Sequence, residues 1–278
     1  MARSRPFRQV DVFTAVPYRG NPVAVVLDAE GLDTAEMQAF ANWTNLSETT
    51  FVLPATEPGA DYQVRIFTPK VEMPFAGHPT IGTAHAVIEA GLAVPRGGRL
   101  VQQCAVGLVD LTIGTESIAF RLPRYKLAPL DDPEATAWIG ATVRGLAHAV
   151  DVGPVWLVAE LESRAALEAL EPDYDRLAQY YAPRQMTGAT LFAQEGDEII
   201  VRSFAPSDGI MEDPVCGSGN GAVAAYRLTM GHIGSGSRYV ASQGRQVGRD
   251  GRVTVRIDGV DVEIGGAAVT CIMGEVVL

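Results

Sequence analysis

The sequence predicts an α+β chain made of two similar halves. Two observations carry this reading. Short β-rich runs outnumber helical stretches, with no regular alternation of strand and helix. The run Val64-Arg-Ile-Phe-Thr-Pro69 recurs 137 residues later as Val201-Arg-Ser-Phe-Ala-Pro206, each time ahead of a Gly-containing loop and an Ala-rich helix.

In chain order, strands are expected at 7–13, 22–27, 50–53, 62–67, 100–104, 108–113 and 118–122, each bounded by turn residues. A helix is expected over 34–41, entered through Asp33 with Glu36 completing a capping box. A second is expected over 80–90, stopped by Gly91. Further matches extend the repeat: Thr50-Phe51 with Thr190-Leu191, Gly77 with Gly217 and Gln103 with Gln243, all at 140 residues. Asn21-Pro-Val-Ala-Val-Val-Leu27 matches Gly153-Pro-Val-Trp-Leu-Val-Ala159 at 132. The change from 137 to 140 places a three-residue insertion in the second loop. The halves are expected at 1–128 and 129–268, joined by a linker at 125–133 that carries Pro129, Asp131, Asp132 and Pro133. Residues 269–278 have no counterpart in the first half and could cross back to complete it.

The chain has 278 residues, 47% hydrophobic and 20% charged, which excludes disordered and fibrous classes. A net charge of −11 argues against a nucleic-acid groove or an anionic membrane surface, both of which need clustered positive charge. Arg3, Arg5 and Arg8 precede no apolar stretch, and no run approaches the roughly 18 residues of a membrane span. A cytoplasmic protein is expected. Cys104, Cys216 and Cys271 are an odd set without CxxC spacing, and His78, His85, His148 and His232 form no HExxH cluster. Neither disulfide nor metal is expected.

If the halves are alike, a ligand belongs at the crevice between them, and chemistry belongs where the symmetry breaks. Glu48 corresponds to Gly188, Ala76 to Cys216 and His78 to Ser218, while the second loop adds Asp208, Glu212 and Asp213. The loops at Gly77 and Gly217 both run into helices, whose free N–H groups suit an anion such as a carboxylate. Glycines at 217, 219 and 221 do not spell the dinucleotide motif, and the first loop lacks a phosphate-loop GK[ST]. Glu48 stands between apolar Leu46 and Phe51, where burial would raise its pKa towards that of an acid/base near neutral pH. Each candidate also has a plain structural alternative. Glu48 could be an exposed strand start, His78 a helix cap, Cys216 an inert core cysteine and Asp213 a turn cap.

Taken together, Asp11-x-Phe, Gly20-Asn-Pro-Val-Ala-Val25, Asn45-Leu-Ser-Glu-Thr49, Arg65-Ile-Phe-Thr-Pro69, Phe75-Ala-Gly-His-Pro79 and Glu212-Asp-Pro-Val-Cys-Gly-Ser218 resemble the PhzF-like phenazine-biosynthesis family. The resemblance runs from about Phe7 to Leu278. It implies the diaminopimelate epimerase-like fold, in which each half is a sheet around a central helix. It implies Glu48 as the acid/base, His78 and Asp213 as substrate-holding groups, no cofactor and commonly a homodimer. Related epimerases use two cysteines; here the first position is Ala76, which excludes the two-thiol reaction. The family typically has threonine where this chain has Cys216.

The function expected is a cofactor-independent isomerase that shifts a proton and a double bond in a small carboxylate-bearing substrate, with dihydro-hydroxyanthranilate isomerisation as the template. Glu48 would carry the proton, and Gly77, His78, Asp213, Gly217 and Ser218 would hold the substrate. One alternative is a racemase or epimerase using Glu48 and Cys216 as two bases, which needs Cys216 exposed and partly ionised. Another is a metabolite-binding protein without turnover.

Overall fold

The computed structural model describes residues 3–278. Two compact units emerge: one holds the chain up to Phe120 together with Gly265–Leu278, the other Arg121–Ile264. The division lies eight residues before the expected boundary at 128, for a local reason. Lys126–Pro129, expected as linker, is a strand that pairs antiparallel with Val143–Asp151 and so belongs with the second unit.

In the first unit, Ser4–Val12 pairs antiparallel with Asn21–Val26, which runs parallel to Thr49–Leu53. Thr49–Leu53 is antiparallel to Tyr62–Phe67, which is parallel to Arg99–Cys104, and Gly107–Ile113 follows antiparallel. The second unit repeats this order of pairings. Val143–Asp151 is antiparallel to Val155–Leu161, then come Gly188–Glu195 (parallel), Glu198–Ala205 (antiparallel), Arg238–Gln243 (parallel) and Gly251–Asp258 (antiparallel). Five successive pairings of the same sense are the structural form of the sequence repeat. Their register corrects one detail: Val25 pairs with Thr50 and Val158 with Thr190, so these strands correspond at 133 rather than 132 residues. The C-terminal strand Ala268–Val277 lies antiparallel on Ser4–Val12, from Val12↔Ala268 to Ser4↔Val277.

Each unit is built around one 13-residue helix, Gly77–Glu89 and Gly217–Thr229. Both are rich in Gly, Ala, Thr and Val and are buried on nearly every side, which is the burial expected of a helix enclosed by strands. Small residues permit that closeness: a Cβ on Gly82 would stand 2.4 Å from Val23, and one on Gly221 2.8 Å from Leu122. The first of these helices starts at Gly77, three residues before the expected Thr80. Pro79 falls inside the first turn, where its missing N–H costs no hydrogen bond, so Gly77 and His78 become first-turn residues.

The helix expected over 34–41 spans Thr34–Thr44, with both halves of the Asp33/Glu36 capping box formed at 2.9 Å. It stops at Asn45, whose φ of 54° is a left-handed cap that asparagine tolerates. Shorter helices, Arg164–Glu168 and Tyr174–Tyr181, occupy the matching connection of the second unit. Leu167, Leu170, Leu177 and Tyr181 pack there on Leu157, Leu191 and Phe204.

Candidate active site

In the first unit the left-handed Asn45 turns the chain back towards the sheet, and Glu48 immediately precedes the strand Thr49–Leu53. Its carbonyl accepts from Ala24 N–H at 3.4 Å, which fixes its backbone beside the neighbouring strand. Glu48 Oε2 lies 3.3 Å from His78 Nε2, with side chains 16% and 6% exposed. The sequence suggested burial of Glu48 among apolar neighbours; the close partner is the imidazole.

Buried polar contacts lock the helix under this pair. Tyr62 OH donates to Gln102 Oε1 at 3.0 Å, and Gln102 Nε2 donates to Thr80 Oγ1 at 3.0 Å. Thr83 Oγ1 donates to Thr50 Oγ1 at 2.8 Å, and Thr50 to the Ala24 carbonyl at 3.3 Å. Gly77 has its own constraint, since a Cβ there would stand 2.8 Å from the Phe120 ring.

In the second unit the strand Ile210–Asp213 leads into the helix through Pro214, Val215 and Cys216. Asp213 Oδ1 accepts from Val215 N–H at 3.0 Å, the turn-capping contact that was the plain alternative for this residue. Gln243 braces the loop from both ends: its Nε2 donates to the Asp213 carbonyl at 3.0 Å, and its Oε1 accepts from Cys216 N–H at 3.2 Å. Asn220 Nδ2 donates to Gln243 Oε1 at 2.7 Å and to the Cys216 carbonyl at 2.9 Å. Ser218 Oγ accepts from Trp156 Nε1–H at 3.1 Å.

The structure sorts the symmetry-breaking residues. Glu212 is not one of them. It holds Arg202 bidentately at 3.0 and 2.8 Å, as Glu72 holds Arg65 at 2.7 and 2.6 Å, and each arginine lies over the phenylalanine two residues on. The insertion therefore precedes Glu212 and coincides with the short 3-10 turn Pro206–Asp208. Gly188, by contrast, cannot carry a side chain, because a Cβ would fall 1.9 Å from the Phe204 carbonyl oxygen. The carboxylate at this position is thus confined to the first unit.

Cys216 is the N-cap of its helix; its Sγ accepts from Gly219 N–H at 3.2 Å and the residue is only 5% exposed. Burial first, and the Asp213 carboxylate second, push the thiol well above its ordinary value. The racemase alternative required an exposed, partly ionised Cys216, whereas here the residue is buried and its surroundings disfavour the thiolate. Native alkylation at pH 8 is expected to be at least roughly tenfold slower at Cys216 than in the urea-unfolded chain, read by peptide mass spectrometry; equal rates would contradict this burial. The sign for stability follows from the raised value. The contribution is complete below the unfolded thiol pKa of about 8.5 and is lost as pH rises towards the folded value.

Trp156, Asn220 and Gln243 were not singled out from the sequence. The Gln103/Gln243 match carried a signal, but only of the repeat: Gln103 instead holds a loop, accepting from Thr56 and Glu57 N–H at 2.8 and 3.1 Å. Among the described residues no three His, Cys, Asp or Glu side chains are grouped to hold a metal ion, and no helix is long and apolar enough to cross a membrane.

Comparison with known families matches residues 10–274 to the PhzC-PhzF family of phenazine biosynthesis-like proteins. The chain belongs to this family. A relative in Schizosaccharomyces pombe, antisense-enhancing sequence 1, is 40% identical, the alignment covering 97% of each chain. The trans-2,3-dihydro-3-hydroxyanthranilate isomerase of Pseudomonas chlororaphis is 35% identical over 97% of this chain and 98% of its own. The crystal structure of a PhzF-family phenazine biosynthesis protein from Bacillus anthracis superposes with a TM-score of 0.88 at 26% identity, covering 99% of this chain and 100% of that one. This PhzF-family chain is an enzyme of the isomerase class.

Proposed function

We propose that the chain isomerises a small unsaturated carboxylate by moving one proton between two carbons, without a cofactor, as in the conversion of trans-2,3-dihydro-3-hydroxyanthranilate. The observation that carries the reading is the half-buried Glu48 carboxylate 3.3 Å from His78 Nε2, in a chain related to an isomerase of that substrate. Ionised Glu48 removes a proton from a saturated carbon, and the C–H electron pair forms a new double bond. The existing double bond shifts, and Glu48, now the acid, returns the proton to the carbon at the far end. The electron count of the substrate is unchanged, so no oxidant or reductant enters.

His78 and Asp213 each orient a polar substituent of the substrate. Backbone N–H groups at the two helix starts, Gly77 and His78 in the first unit and Gly217 and Ser218 in the second, are the donors proposed for the anionic oxygens of the substrate. A homodimer and a cytoplasmic location belong to the same reading. Its substrate is tested by incubating the protein with trans-2,3-dihydro-3-hydroxyanthranilate and following the olefinic protons by NMR. Protein-dependent loss of the starting signals is the expected result. An unchanged spectrum at high enzyme concentration would reject this substrate.

A further inference from the structure

We infer that Trp156 is a positioning residue for the proposed site: its indole N–H occupies one lone pair of Ser218 Oγ and leaves the Ser218 proton to be given to an anionic oxygen of the ligand. The inference rests on the reading of Ser218 as a substrate-holding residue. It assigns that hydroxyl a direction, and so a preference for ligands that accept hydrogen bonds over ligands that donate them.

An indole nitrogen can only donate, which sets the sense of the 3.1 Å contact from Trp156 Nε1 to Ser218 Oγ. Trp156 is 2% exposed, so its N–H has little access to water as a substitute partner. The Ser218 hydroxyl then has one proton to place. Its other close neighbour is Cys216 Sγ at 3.5 Å, a weak acceptor that already takes Gly219 N–H. A carboxylate or enolate oxygen is a much stronger acceptor, and a hydroxyl that leaves sulfur for it gains a short charge-assisted bond. An amide N–H arriving at the same oxygen finds one lone pair still open, but gains only a neutral hydrogen bond there.

The arrangement is specific to the second unit. By strand register Val23 stands where Trp156 does, and the helix position matching Ser218 is His78. A valine cannot make this contact.

The test uses Trp156→Phe, Ser218→Ala and the double variant, with 3-hydroxyanthranilate and its neutral carboxamide as probes in calorimetric titrations. In the wild type the carboxylate is expected to bind more tightly than the amide. That preference should fall about tenfold in each single variant and no further in the double. A general loosening of the fold would weaken both probes together and leave their ratio intact. If Ser218→Ala lowers the ratio and Trp156→Phe does not, or if the two losses multiply, the role of Trp156 is overturned while the reading of Ser218 stands. If Ser218→Ala leaves the ratio unchanged, or the wild type binds neither probe, the reading of Ser218 fails and this inference with it. Should Trp156→Phe fold poorly, Ser218→Ala alone decides whether the contact exists. One of the three indole N–H signals in a nitrogen-15 correlation spectrum must then move, and three unmoved signals would overturn the proposal.

Discussion

Glu48→Gln is expected to lower kcat for the proposed isomerisation by about 10²–10⁴-fold, the usual contribution of a positioned general acid/base. Glutamine matches the carboxylate in size and can still meet His78 Nε2, so the half-buried pocket beside Thr49 should keep its packing. What it loses is the ability to accept and return a proton. Because that ability is used only in the chemical step, kcat and kcat/KM should fall together while KM changes little. Circular dichroism and the urea midpoint should match the wild type. A variant retaining turnover within a few-fold would remove Glu48 from the proton path. A variant that raised KM alone would recast it as a binding group.

The largest expected effect on stability comes from a residue that the sequence pointed to for chemistry. Glu212→Ala should destabilise the second unit by about 3–5 kcal/mol, the penalty for leaving one member of a buried ion pair without its partner. Arg202 and Glu212 are only 4% and 6% exposed. Arg202 also donates to the carbonyls of Leu167 and Leu170 at 2.9 and 3.1 Å, so the guanidinium cannot swing out to water without giving up those two hydrogen bonds. The equivalent pair in the first unit provides the control. Arg65 and Glu72 are 24% and 35% exposed, and solvent screens them, so Glu72→Ala should cost about 1 kcal/mol or less. Urea unfolding followed at both positions reads the contrast. Equal losses would show that burial does not distinguish the two ion pairs.

These two arginines show how far the sequence could be read. Val-Arg-x-Phe-x-Pro is recognisable twice because strand sequence pattern and turn residues are local properties, and the repeated pairing order bears this out. That each arginine closes on a glutamate further along was not visible. Glu212 was grouped with Asp208 and Asp213 because the insertion could not be placed more finely than the loop that contains it. The same limit applies to Asn45-Leu-Ser-Glu48. The motif identifies the glutamate, but its 3.3 Å approach to His78 depends on a left-handed turn and a helix start three residues earlier than expected. Trp156 is the extreme case. Its partner Ser218 is 62 residues away, and a lone tryptophan on a strand carries no local sign of a hydrogen bond. Gly188 could be aligned with Glu48, yet only coordinates show that the Phe204 carbonyl forbids a side chain there.

Proton NMR of trans-2,3-dihydro-3-hydroxyanthranilate in D₂O, with wild type and with Glu48→Gln, tests most directly whether one carboxyl group carries a proton from carbon to carbon. The wild type is expected to give isomerised product in which the receiving carbon retains substrate hydrogen. Deuterium should enter only there, and only as far as protonated Glu48 exchanges with solvent, while Glu48→Gln gives neither product nor label. Isomerisation with full deuterium uptake by Glu48→Gln would contradict this transfer.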